Sequence, residues 1–201
     1  MSKKPSKTQP VATITREEWL TRMMQLIATN VFESAREGST QAIGAWRVSC
    51  GWPGGGSARK RIGECWSSTT SKRGMVEMFI SPSLDDGVRV ADVLAHEMVH
   101  ASVGTECGHR GEFRKLATAI GLEGKMTATV AGAALKAQLE GLVAELGEYP
   151  HGALSLKDRK KQTTRMLKLA CQDCGYTIRT TAKWIECGVP TCHCGGDFIL
   201  D

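Results

Sequence analysis

Apolar positions recur along this chain at two different spacings, and the change of spacing marks the elements. Thr15-Arg16-Glu17-Glu18 reads as a capping box, and Trp19, Met23, Ile27 and Phe32 follow at near-helical intervals, predicting a first helix over about 15–36. Ile43, Trp46 and Val48 predict a strand within 42–50, and Met75–Ile80 a second one, ended by Ser81-Pro82. Between them, Gly51–Gly56 and the Ser-Ala-Arg-Lys-Arg that follows hold too many glycines for regular structure. Val90, Val93, Leu94, Met98 and Ala101 share one side of a helix expected over about 87–103. After a polar, glycine-rich turn at Gly104–Gly108, Phe113, Leu116, Ala117 and Ile120 predict a helix over about 109–121. Residues 122–130 read as irregular. Leu135, Leu139, Leu142, Val143 and Leu146 then predict a helix over about 131–147, stopped by Tyr149-Pro150-His151-Gly152.

Beyond that point the periodicity disappears, and charge and cysteine take over. Six cations (Lys157, Arg159, Lys160, Lys161, Arg165, Lys168) crowd into twelve residues against one acid, Asp158, so the formal charge of +5 belongs to this connector and to Lys3, Lys4 and Lys7 rather than to the body. Five of the eight cysteines fall in the last 31 residues. The organisation expected is a disordered basic tail (1–12), an α+β body (13–152), a basic linker (153–168) and a small cysteine module (169–201). A module of that size is too small to fold without a metal. With 41% hydrophobic and 23% charged residues, neither wholesale disorder nor a membrane bundle fits. No secretory signal and no 18-residue apolar run is visible, so an intracellular setting, cytoplasmic or nucleoid-associated, and no membrane partner are expected. In that setting, clustered cysteines read as metal ligands before disulfides.

The strongest chemical signal is His96-Glu97-Met98-Val99-His100, inside the helix expected over 87–103. Histidines four apart project from one helical face, so two imidazoles converge on one ion, and Glu97 between them addresses a water beside it. A catalytic site needs a third protein ligand and an open fourth position. His109, at the head of the next helix, is the preferred third ligand over Cys107, Glu106 and Glu112. Arg110 is either an oxyanion donor or simply solvated, and Cys107 either a small buried hydrophobe or a redox-sensitive neighbour of the site. The Gly54–Arg61 loop lacks the Gly-Lys-Ser/Thr ending of a nucleotide-binding loop and is assigned to the rim of the cleft.

Phe79-Ile80-Ser81-Pro82, the His96–Ala101 block and Gly108-His109-Arg110-Gly111-Glu112-Phe113 together resemble the SprT-like metalloprotease family. The resemblance covers roughly residues 15–122 and extends to a C-terminal zinc ribbon, as in several short members. It departs at Arg110, where the family often has glycine. The resemblance implies a zincin-like core of helices on a small sheet, with His96, His100 and His109 holding a catalytic zinc ion and Glu97 as the catalytic base. It also implies proteolysis of DNA-bound or crosslinked protein, with DNA as a partner. Substrate is expected to lie extended along the edge of the Met75–Ile80 strand.

In the C-terminal module, Cys171-Gln172-Asp173-Cys174-Gly175 forms one knuckle and Cys192-His193-Cys194-Gly195-Gly196 a second, spaced CxC. Cys171, Cys174, Cys192 and Cys194 are the expected ligands of a structural zinc, with Cys187 and His193 in reserve. Tyr176–Ile185 alternates apolar and polar residues and predicts one strand with Arg179 and Lys183 exposed. Trp184 there either stacks on nucleobases or packs over the small metal core. The linker cations Lys157, Arg159, Lys160, Lys161, Arg165 and Lys168, with Arg179, Lys183 and Trp184, are the candidate nucleic-acid contacts. The reading reached is a zinc endopeptidase that acts on DNA-associated proteins. Its rivals are a non-catalytic nucleic-acid-binding zinc ribbon with a vestigial protease domain, and a metallopeptidase with no nucleic-acid role.

Overall fold

Why the first helix starts where it does is visible at its cap. In the computed structural model, which describes residues 14–35, 45–54, 61–155 and 166–201, the Thr15 hydroxyl accepts from the Glu18 amide while the Glu18 carboxylate accepts from the Thr15 amide. Helix α1 (Arg16–Ile27) buries Trp19, Leu20, Met23, Met24 and Ile27. Its regular turn ends earlier than the periodicity predicts: the chain widens over Ala28–Phe32 and tightens over Glu33–Ala35. The Asn30 side chain bonds the Leu26 carbonyl there, competing with the helical ladder, and the widened turn brings both Val31 and Phe32 into the core.

Three strands form the main sheet in the order β1–β3–β2. Strand β1 (Trp46–Cys50) runs parallel to β3 (Val76–Ile80), and β2 (Gly63–Trp66) runs antiparallel to it. In β3, Val76, Met78 and Ile80 are buried while Glu77 and Phe79 are partly exposed on the other face, the period-two signature of a sheet covered on one side. Strand β2 was not foreseen; it is short, and none of its four residues is buried. The sheet order also corrects the expected substrate edge. The 75–80 strand is central and paired on both sides, the edge strands are β1 and β2, and β2 is the one that borders the histidine cleft.

Helix α2 (Gly87–Val103) matches the expected 87–103, with Asp86 capping its start by accepting from the Arg89 amide. It lies against the sheet and against α1 and α4, so Val90, Leu94 and Met98 are wholly buried. Helix α3 (Glu112–Ala119) begins three residues later than predicted, which leaves His109 in the preceding turn. The segment expected to be irregular is instead a hairpin, β4 (Leu122–Lys125) paired with β5 (Ala128–Ala131). Most of its side chains are exposed, with only Leu122 and Thr129 buried in the strands, so it carries almost no apolar pattern. Helix α4 (Ala133–Leu146) closes the core with Leu135, Leu139, Leu142 and Val143.

The chain divides into two compact units, Met1–Leu156 and Lys157–Asp201. The second holds a sheet in the order β7–β6–β8, made of β6 (Leu167–Cys171), β7 (Thr177–Thr180) and β8 (Phe198–Leu200), with a short helix α5 (Ala182–Cys187). The single strand expected over Tyr176–Ile185 is therefore wrong: it stops at Thr180 and the chain turns helical. The described residues are thus mixed α+β, with five α-helices and small sheets. Among the described residues, no helix is long and apolar enough to cross a membrane.

Candidate functional site

Helical geometry alone puts His96 and His100 on one face of α2, one turn apart; bringing in His109 takes a reversal of the chain. Gly104 ends α2 with φ +86°, a conformation costly for any residue with a Cβ, and a pair of turns, Gly108 N–H to Thr105 O and Arg110 N–H to Cys107 O, carries His109 back. The His109 Nε2 atom then lies 3.3 Å from that of His96 and 3.2 Å from that of His100. Phe113, fully buried in the first turn of α3, lies against all three rings, with centroid distances of 5.0, 4.3 and 4.9 Å to His96, His100 and His109.

These spacings fit a metal. A tetrahedral ion with nitrogens at about 2.0–2.1 Å would set its donors about 3.3–3.4 Å apart. Three nitrogen atoms facing one another are otherwise mutually repulsive when charged, and burial already holds His96 down to about 4 and His100 to about 3, each also lowered by its histidine neighbours. The rings are therefore neutral, the form a metal requires. The other ring nitrogen of His96, Nδ1, meets the Thr129 hydroxyl at 2.7 Å, across the β5 strand. Thr129 is buried and fixes the orientation of that ring. No sequence signal pointed to it, because it is 33 residues away on a hairpin without periodicity. His100 Nδ1 has no hydrogen-bond partner among the described residues.

The alternatives for the third ligand go elsewhere. Cys107 Sγ faces the carbonyls of Gly104 and Gly108 and packs on the core, Glu112 binds Lys115, and Glu106 is exposed. Arg110 is exposed and does not line the cleft.

That cleft has a volume of about 440 Å³ and is bordered by residues 61–65, by Arg89, Val93, His96, Glu97 and His100 of α2, and by His109 and Thr129. Glu97 is only 5% exposed, and its carboxyl is pushed up to about 8, first by burial and then by the charge of Glu64. Gly63 of β2 lies directly against it: a Cβ there would overlap the Glu97 carboxylate and Val93. Cys65, beside them, has its thiol raised to about 12 by burial and by Glu97, which leaves it protonated.

The second cluster is Cys171, Cys174, Cys192 and Cys194, whose sulfurs all lie within 4.8 Å of one another. Cys171 and Cys194 are 3.5 Å apart, as are Cys174 and Cys192; tetrahedral zinc with sulfurs at about 2.3 Å would set about 3.8 Å. Gly175 (φ +72°) and Gly195 (φ +88°) turn the knuckles. Amides of Cys174 and Asp173 donate to the Cys171 sulfur and lower its thiol to about 7. Of the two reserve ligands, Cys187 is exposed and outside the cluster, and His193 lies against the Tyr176 ring, with Nδ1 3.6 Å from Cys192 Sγ.

The candidate nucleic-acid residues are only partly on view. Lys157, Arg159, Lys160, Lys161 and Arg165 lie outside the described residues. Lys168 pairs with Asp201 and stands opposite Arg179 in the β6–β7 register. Trp184 is 58% exposed on α5, with Lys183 Nζ 5.1 Å from its ring centroid, so it does not pack over the metal cluster. Among the described residues, two candidate metal sites compatible with zinc are thus present. No protein-family model, curated protein or solved structure matches this chain.

Proposed function

We propose that this protein is a zinc-dependent endopeptidase, zincin-like and SprT-like in its body and carrying a zinc ribbon, that acts on proteins associated with or crosslinked to DNA. The observation that carries the reading is the joint placement of three convergent imidazoles and one buried carboxylate in a single cleft, beside a strand at the edge of its sheet. His96, His100 and His109 would hold the catalytic zinc; Cys171, Cys174, Cys192 and Cys194 would hold a structural one. A bound zinc ion supplies Lewis acidity, which lowers the pKa of water and polarises a carbonyl.

The remaining steps belong to the chain. The edge of β2 pairs with an extended substrate and holds the scissile peptide in place. Glu97, on the α2 face toward β2, takes a proton from the attacking water and returns it to the leaving amine. Burial raises its pKa, and a dication held by the three histidines would favour the ionised form that a base needs. Thr129 and Phe113 hold the imidazoles in place. DNA is assigned to the cations of the linker and to Arg179, Lys183 and Trp184, where an exposed indole beside a cation offers stacking and phosphate neutralisation together.

The test is cleavage of a DNA-bound protein by wild-type and Glu97→Gln protein, with and without single- or double-stranded DNA, with zinc content measured on both. Loss of cleavage with zinc retained supports the reading. Equal turnover by the variant, or no turnover of any DNA-associated protein by the zinc-loaded wild type, removes it.

A further inference from the structure

The main sheet has a second concave surface, on the face turned away from the helices. The antiparallel register pairs Glu64 with Phe79 and Trp66 with Glu77, and these four residues, together with Trp52, line a hollow of about 400 Å³ that Gly54, Thr70 and Ser71 complete. Trp66 is 45% exposed. Glu64 organises the hollow: one carboxylate oxygen accepts from the Trp66 indole at 3.0 Å and from the Gly54 amide at 2.8 Å, and the other takes Arg61 at 2.9 Å. Glu77 has its charge less committed, with Arg47 at 3.9 Å, a separation at which an exposed pair contributes little. Gly51 leaves room for the Phe79 ring, since a Cβ there would come within 3.2 Å of it.

Three aromatic side chains and a weakly paired carboxylate in one hollow favour a cation: ring faces carry negative potential, and the carboxylate adds to it. The same features disfavour an anion. The hollow also shares a strand with the cleft. Along β2, Gly63 borders the cleft against Glu97, Trp66 lines the hollow, and Glu64 borders both. Any polypeptide that adds to the edge of β2 alternates in the same way, with every second side chain on the hollow's side.

We propose that the hollow formed by Trp52, Trp66, Phe79 and Glu77 binds the lysine or arginine side chain of a polypeptide paired with the edge of β2; this rests on the peptidase reading, since the same edge borders the histidine cleft. The substrate class it selects is basic protein segments, those with cationic residues at alternate positions near the scissile bond. Proteins that contact nucleic acid neutralise its phosphates with lysine and arginine side chains.

The experiment uses the full zinc-loaded chain carrying Glu97→Gln, and two blocked hexapeptides of alternating valine and lysine or alternating valine and norleucine. Titration calorimetry at about 0.15 M salt should show the lysine peptide binding about 5- to 30-fold more tightly. Trp66→Ala and Glu77→Gln should each abolish most of that difference. Glu77→Gln is close to isosteric at a partly exposed position, so it keeps the test decisive should Trp66→Ala fail to fold. Equal affinities for the two peptides, no binding of the lysine peptide at millimolar concentration, or a preference that survives Glu77→Gln unchanged would overturn the proposal. Incubating both peptides with zinc-loaded wild type separates the two claims. Cleavage of both at equal kcat/KM removes the hollow and leaves the peptidase. A lysine preference in binding with no cleavage of any peptide or protein removes the peptidase and leaves the hollow as a cation site.

Discussion

Around His96, His100 and His109 the chain builds a hydrophobic core that owes nothing to the ligands: Trp19, Leu94, Met98 and Phe113 are fully buried before any ion is considered. Around Cys171, Cys174, Cys192 and Cys194 two of the ligands are themselves part of the little that is buried: Leu169, Cys171 and Cys192 are the buried hydrophobics among the described residues of the second unit. One cluster is decoration on a stable scaffold, and the other is the scaffold. The donor sets differ to match. Three neutral imidazoles would leave a tetrahedral ion one open position, and they face a cleft with a carboxylate in it; four sulfurs would fill every position. Placement, more than donor chemistry, separates a site able to do chemistry from a site that holds a fold.

The largest effect that sharpens this contrast is metal removal. Chelation should unfold residues 166–201 completely while the body keeps its helices, because the metal supplies nearly all the folding free energy of so small a module; amide NMR spectra check it, and collective loss of both units' dispersion would break the comparison. Next comes Glu97→Gln, expected to lower cleavage by about 10²- to 10⁴-fold with both ions retained. Thr129→Val removes the hydroxyl that orients His96 and should weaken zinc at the histidine site by about 10- to 100-fold. Competition with a chromophoric chelator should show one weakened site and one unchanged.

Gly63→Ala is smaller. The added methyl meets the Glu97 carboxylate and Val93, and overpacking of this kind costs about 1–3 kcal/mol, read as a lowered Tm and a lowered kcat with zinc affinity intact. The last test is in pH. In the metal-free protein, His96 titrates near 4 and His100 near 3, well below an ordinary histidine at about 6.5. As pH falls below about 6.5 the unfolded chain takes protons that the folded rings refuse, so these histidines make acid destabilising. Glu97 acts in the opposite sense between pH 8 and its unfolded value, since its folded form holds the proton longer. Metal-free Glu97→Gln protein should therefore show the histidine limb without the opposing contribution of Glu97, as a Tm that falls from about pH 6.5 towards 4.

How much of this could be read beforehand varied with how local each interaction is. The bounds of α2, the His96–Glu97–His100 spacing and the two cysteine knuckles are short-range properties, carried by periodicity and by fixed offsets along the chain. The β4–β5 hairpin escaped because its side chains are largely exposed, and β2 because four residues, three half-buried and Trp66 exposed, carry no alternation. Trp184 stayed open between two roles, and the turn at Thr181 that starts α5 settled its exposure.

The sequence by itself determined which residues bear chemistry, because helix geometry and ligand spacing are repeated every few residues and need no partner from afar. Only the tertiary structure decided what surrounds them: that β2 rather than β3 forms the sheet edge beside the cleft, that Thr129 reaches His96 across 33 residues, and that Gly63 must be small to clear Glu97. Those are contacts between segments distant in the chain, fixed by how helices and strands pack, and no local pattern encodes them.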